Sequence, residues 1–109
     1  PEYNKGVSGV LKNTLDWVSR IPGNVWKGKP VAIMTAAAGR TGGEAAHYML
    51  RNCLGPFGVR LISSPIICLA QAAEQFDSDN QLISDRYKKA VQELMNNLYS
   101  EIELIAPKI

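Results

Sequence analysis

The sequence has little of what most specialised protein classes require. It holds two cysteines, Cys53 and Cys68, too few for a disulfide scaffold, and neither stands in a Cys-x-x-Cys pair. Both read as buried, inert thiols suited to a reducing cytoplasm. The one histidine, His47, lies beside the apolar face of its helix with no partner at metal-ligand spacing. A helix-surface or interface position is expected of it. Basic and acidic residues nearly balance, 12 against 10, and no Lys/Arg run is present, so the electrostatic footprint of a nucleic-acid binder is missing. No apolar run is long enough to span a bilayer, and no basic-then-apolar leader ends in a cleavage motif. Neither membrane insertion nor export is therefore expected.

What is present is ordinary globular composition, 46% apolar and 20% charged, in a chain of 109 residues that suffices for one domain. A first helix is expected from Ser8 or Gly9 to Arg20, with Val7, Val10, Leu11, Leu15 and Val18 on its apolar stripe and Trp17 at the edge, where it suits a contact with another chain or a ligand. Pro22, Gly23, Gly28 and Pro30 end it. "VAIMTAA" then reads as a strand buried on both faces, as in a parallel sheet. A second helix places Ala46, Met49, Leu50, Cys53, Leu54 and Phe57 on one side. "VRLIS" is the next strand and is allowed to run on through "PIIC". "LAQAAEQF" reads as a short helical segment. Ser84 or Asp85 caps a last helix carrying Tyr87, Ala90, Val91, Leu94, Leu98 and Ile102, and Pro107 stops it.

Helix, strand, helix, strand, helix argues for an α/β doubly wound parallel sheet, of which this chain supplies about two strands and three main helices. Two hydrophobic strands alone leave unpaired edges, so further sheet partners are expected.

Two stretches carry candidate chemistry. The loop "AAGRTGG" follows the first strand at its carboxyl end, where α/β proteins bind ligands. Its glycines let the backbone approach a flat or anionic group, and the helix start adds exposed amides. The spacing is neither Gly-x-Gly-x-x-Gly nor a Gly-Lys-Ser/Thr phosphate loop, and a plain strand-to-helix turn remains an alternative. "PEYN" reads as a turn whose Tyr3 offers an aromatic face and a hydroxyl. "DSDNQLISDRYK" is not a calcium loop, because Leu82 stands where glycine is required and Lys88 where the closing glutamate belongs.

Together, "PEYNKGVSGVLKNTLDWVSR" and "WKGKPVAIMTAAAGRTGG" resemble the NAD(P)H-dependent FMN reductase family, which includes quinone, azo-dye and chromate reductases. "AQAAEQFDSDNQLISDRY" agrees, so the resemblance runs over essentially the whole chain. It implies a flavodoxin-like fold and FMN bound at a dimer interface. Pro1, Glu2, Tyr3 and Asn4 would lie against the isoalloxazine ring, largely through backbone groups. Ala37, Ala38, Gly39 and Arg40, up to Gly42, would close on its other edge. NADPH or NADH would serve as reductant and a small molecule (a quinone, azo compound, chromate or free flavin) as electron acceptor. Arg40 would face the reduced ring, attract nicotinamide-nucleotide phosphate, or be a solvated loop charge.

This sequence also departs from the family. Ala36, Ala37 and Ala38 stand where many relatives carry serine or glycine, which removes side-chain hydrogen bonds but not backbone ones. Ala45 and Ile66 replace the arginine and glutamate that tie some relatives into tetramers, so a homodimer is expected more firmly than a tetramer. By the resemblance, residues 1–109 form the carboxyl-terminal portion of one flavodoxin-like domain, without its first strands and phosphate loop. Such a portion alone is expected to hold FMN weakly. Two other classes fit the same residues: a non-enzymatic flavodoxin-like electron-transfer or interaction module, and a fragment without flavin.

Overall fold

The computed structural model describes residues 1–107. Helix α1 (Gly9–Val18) is followed by short strands β1 (Pro30–Val31) and β2 (Met34–Ala36), helix α2 (Glu44–Leu54), strands β3 (Arg60–Leu61) and β4 (Ile67–Leu69), and helix α3 (Asp85–Ile105). Ser8 caps α1 by accepting a hydrogen bond from the Leu11 amide at 3.2 Å, and Ser84 caps α3 by accepting from Tyr87. Both caps use a hydroxyl to satisfy an amide that the helix itself leaves unpaired. Helix α1 stops two residues short of the expected Arg20. Phe57 falls beyond α2, in a 3₁₀ turn over Gly55–Phe57, and "LAQAAEQF" condenses to a 3₁₀ turn over Ala72–Gln75.

The expected single strand "VAIMTAA" is two, and so is its partner. β1 pairs with β3 in parallel, Pro30 opposite Arg60, and β2 pairs with β4, Met34 opposite Ile67. The register therefore shifts by three residues between the two pairs: the offset is 30 in the first (60 − 30) and 33 in the second (67 − 34). The extra chain lies around Ser63, Ser64 and Pro65, where proline cannot donate to a ladder. The bulged carbonyls find partners elsewhere. Arg51 of α2 donates to the Ser63 carbonyl at 2.9 Å and Asn97 of α3 to that of Ser64 at 2.8 Å. "VRLIS" thus does not run on into "PIIC".

Burial on both strand faces also does not hold for β2. Thr35 is buried, while Met34 stays 48% exposed. Leu15, Ile33 and Leu54 form one buried cluster, with Trp26, Leu50, Phe57 and Leu61 packed around it. Ile67, Leu69 and Leu94 are buried on the β4 and α3 side. On α1, Val10 and Trp17 face outward, at 79% and 72% exposure, while Val18 is half-buried. Cys53 and Cys68 are free thiols, but half-buried rather than buried. No helix among the described residues is long and apolar enough to cross a membrane.

His47 is a larger correction: it is fully buried, not on the helix surface. Its Nε2 accepts a hydrogen bond from Arg51 Nε at 3.2 Å, and its Nδ1 has no partner among the described residues. Burial, and then the Arg51 charge, lower its pKa below the ordinary value of 6.5. The unfolded chain therefore protonates His47 first. Stability is full above about pH 6.5 and falls as the pH drops toward the depressed native value, by at most about 1.4 kcal/mol per pH unit. The chain has one histidine, so the slope in this window is assignable to it. The urea midpoint of the wild type should fall between pH 7.5 and 5.5, and that of His47→Gln should stay nearly level.

Candidate functional site

The two chemistry-bearing stretches meet at the amino end of α2. Asn4 and Lys5 both adopt positive φ, 50° and 67°, the signature of a tight type I′ turn. Tyr3 and Gly6 close it with two reciprocal backbone hydrogen bonds of 2.9 and 3.0 Å. The turn is pinned to α2 at two points. The Glu2 carboxylate accepts a hydrogen bond from the Ala46 amide at 2.9 Å, and Met49 Sδ accepts from the Val7 amide at 3.4 Å. The N-cap residue, Gly43, offers no side chain for capping, so Glu2 provides from a distance what a local cap would otherwise give.

The loop between β2 and α2 is held just as closely. Thr35 donates its hydroxyl proton to the Gly42 carbonyl at 2.8 Å. Gly42 and Gly43 have φ of 64° and 85°, and both are buried. A Cβ on Gly42 would run into the Cys68 carbonyl, and one on Gly43 would stand 3.1 Å from Thr35 and 3.7 Å from Glu2. Two further carbonyls of the loop are used internally: Ala37 accepts from the Ala72 amide at 3.0 Å and Gly39 from Gln71 at 2.9 Å. The amides of Ala38, Gly39 and Arg40 donate to no protein acceptor among the described residues, and all three residues are exposed. A Cβ on Gly39 would meet nothing within 4 Å.

Of the nine candidate residues, Pro1, Tyr3 and Asn4 are exposed beside α2, while Ala38, Gly39 and Arg40 present open backbone at the carboxyl end of β2. Ala37 is half-buried and anchored to β4 through a 3.1 Å bond to the Leu69 carbonyl. Gly42 lies inside, seated on β4, and shapes the loop rather than lining its open side. Sequence reasoning assigned Glu2 to a ring contact and overlooked its bond to α2. It also overlooked Thr35, although one hydroxyl within an otherwise apolar strand was a readable signal.

Helices packed on short parallel strands, with a glycine-rich loop at the carboxyl end of β2, make this a flavodoxin-like α/β protein. The chain belongs to the NADPH-dependent FMN reductase family, whose model matches residues 1–74. It is 39% identical over 98 residues to the NAD(P)H-dependent FMN reductase of Pseudomonas aeruginosa, covering 90% of this chain and 53% of that protein. It is 39% identical over 101 residues to the NADPH:quinone oxidoreductase of Arabidopsis thaliana, covering 90% and 50%. Among solved structures, FerB of Paracoccus denitrificans, a flavoenzyme NAD(P)H:(acceptor) oxidoreductase, superposes with a TM-score of 0.72 at 31% identity, over 94% of this chain and 56% of that one. The chain spans about half the length of the curated relatives it matches.

Two substitutions test the geometry. Glu2→Ala, which strips α2 of its distant cap, should cost about 1 kcal/mol. Gly42→Ala should cost about 3 kcal/mol, because it adds backbone strain to a steric clash. Urea unfolding of both variants gives the order, and equal losses would contradict the buried placement of Gly42.

Proposed function

We propose that this chain is the carboxyl-terminal portion of an FMN-dependent oxidoreductase that takes reducing equivalents from NAD(P)H and delivers them to a small-molecule acceptor, of which a quinone is the leading class. The observation that carries the reading is the row of unpaired amides at Ala38, Gly39 and Arg40 in the loop before α2, the helix to which the Glu2 turn is also pinned. These residues fit FMN. Among the described residues the amides from Ala38 to Arg40 have no internal acceptor, so the loop can donate to acceptor atoms on a ligand edge. The isoalloxazine pyrimidine edge is such an edge.

When bound, FMN would accept hydride from the reduced nicotinamide and pass electrons onward. The chain's own part is binding, orientation and field. Amide dipoles from Ala38 to Arg40, with the Arg40 charge behind them, would stabilise negative charge on the edge they face. Pro1, Tyr3 and Asn4 would present backbone and an aromatic face to the ring. Glu2 would hold that turn in place through Ala46, and Gly42 would let the loop seat on β4.

Four further points belong to the same proposal. The carboxyl-terminal assignment is supported by the half-length match to relatives and by strands that each pair on one side only among the described residues. A homodimer would cover the exposed Val10 and Trp17 of α1. Arg40 would be available to the nicotinamide nucleotide as well as to the ring. The two free thiols suit a reducing cytoplasm.

The test uses the intact gene product. It should turn yellow with FMN, sediment as a dimer, and oxidise NADPH when a benzoquinone is supplied. A preparation that stays colourless with added FMN and never consumes NADPH would sink the reading.

A further inference from the structure

Three successive amides after β4 are committed, and two of them reach into the ligand loop. Ala70 donates to the Tyr87 hydroxyl at 3.2 Å, Gln71 to the Gly39 carbonyl at 2.9 Å, and Ala72 to the Ala37 carbonyl at 3.0 Å. The Ala70 carbonyl is taken as well, accepting from the Gln75 side-chain amide at 3.1 Å. Between them Gln71 holds the left-handed conformation, φ 48° and ψ 51°, which is disfavoured for a residue with a Cβ. Residues 70–72 thus form a brace laid along the loop.

The outer anchor of the brace is Tyr87. Its own amide donates at 3.4 Å to the Ser84 hydroxyl that caps α3, and the Arg86 guanidinium stands 5.5 Å from its ring centroid. The phenol is therefore carried by the first turn of a 21-residue helix, and Ala70 is fixed to that helix. A Cβ on Gly42 would stand 2.8 Å from the Ala70 nitrogen, so the brace also meets the far end of the loop.

What the brace fixes follows from the planarity of the peptide unit. The carbonyl of one residue and the N–H of the next share a plane and, in a trans peptide, point in opposite directions. The loop peptides are trans. Ala72 draws the Ala37 carbonyl toward the brace, so the Ala38 N–H is turned away from it. Gln71 does the same to the Gly39 carbonyl, and hence to the Arg40 N–H. These are two of the three unpaired amides of the loop.

We propose that Tyr87 is a positioning residue for this donor row: through Ala70 it holds the brace that aims the Ala38 and Arg40 amides outward at the ligand. The inference rests on the FMN reading above and deepens it by naming what tunes the bound flavin. Fixed donors favour the reduced ring over the oxidised one, because reduction places negative charge on the edge they face.

Tyr87→Phe removes one hydroxyl and keeps the ring. In the intact protein it should weaken FMN binding about fivefold, the worth of one neutral hydrogen bond. It should also move the midpoint potential of bound FMN to a more negative value and speed solvent exchange at the Gln71 and Ala72 amides. Gln75→Met, which frees the Ala70 carbonyl, should act in the same direction. Arg60→Gln breaks the ion pair to Glu101 and controls for general loss of stability, so affinity and potential should stay at wild-type values. A tyrosine that only supported the fold would weaken oxidised and reduced FMN alike and leave the potential unmoved. An unmoved potential in Tyr87→Phe, or an equal change in Arg60→Gln, would overturn the proposal. If the wild type binds no FMN, the function proposed above falls, and amide exchange alone decides the brace. Faster exchange at Gln71 and Ala72 in Tyr87→Phe would then uphold it, and unchanged exchange would overturn it.

Discussion

The site depends on one hydrogen bond that spans 44 residues of sequence, from the Ala46 amide to the Glu2 carboxylate. Helix α2 begins at a glycine that cannot cap it, so its amino end carries unpaired donors and a partial positive charge. A carboxylate there satisfies one donor and faces the dipole. Its own residue belongs to the turn that carries Tyr3 and Asn4, so capping the helix also positions the turn. Gly43 is part of the same arrangement, since a side chain there would press on both Thr35 and Glu2. Loop, turn and helix start thus form one mechanical unit. The charge-assisted Glu2 bond, with the Val7–Met49 contact, holds the turn against the helix that follows the loop.

The sheet beneath is not one continuous platform. The three-residue register shift separates a β1–β3 pair from a β2–β4 pair, and only the second carries the site. The bulge that creates the shift is held from both sides, by Arg51 of α2 and Asn97 of α3. Arg51 is also the donor to buried His47. The helix whose first turn helps to build the site is therefore tied through its last turn to the bulge that sets the register. A change of register would move Cys68, against which Gly42 is packed, and so would move the loop.

How much of this could be read in the sequence varied with the range of the interaction. Helix starts were legible, because Ser8 and Ser84 act within three residues of themselves. The site loop was legible from its place between a strand and a helix. The strand break was not: Pro65 marks a fault in one strand, but the register of a parallel pair is decided by a partner about 30 residues away. His47 misled for a similar reason. Its helical phase put it beside the apolar stripe, and what buries it is the packing around α2, which has no local signature. Glu2 was legible as a member of the turn but not as a cap, since its partner is remote.

The alanines of the loop follow from the same accounting. A loop that recognises its ligand through hydroxyl side chains needs serine or threonine at the open positions. A loop that recognises it through backbone amides needs those amides unobstructed. Here the internal bonds take the carbonyls of Ala37 and Gly39, and the next three amides remain available. Ala36 and Ala38 are exposed and bring no hydrogen-bonding side chain to the loop, whose backbone Thr35 holds at Gly42. In the proposed site, alanine in place of hydroxyl residues would leave recognition to the backbone and raise the demand on rigidity, which the Glu2 bond, the Thr35 hydroxyl and the buried glycines would meet.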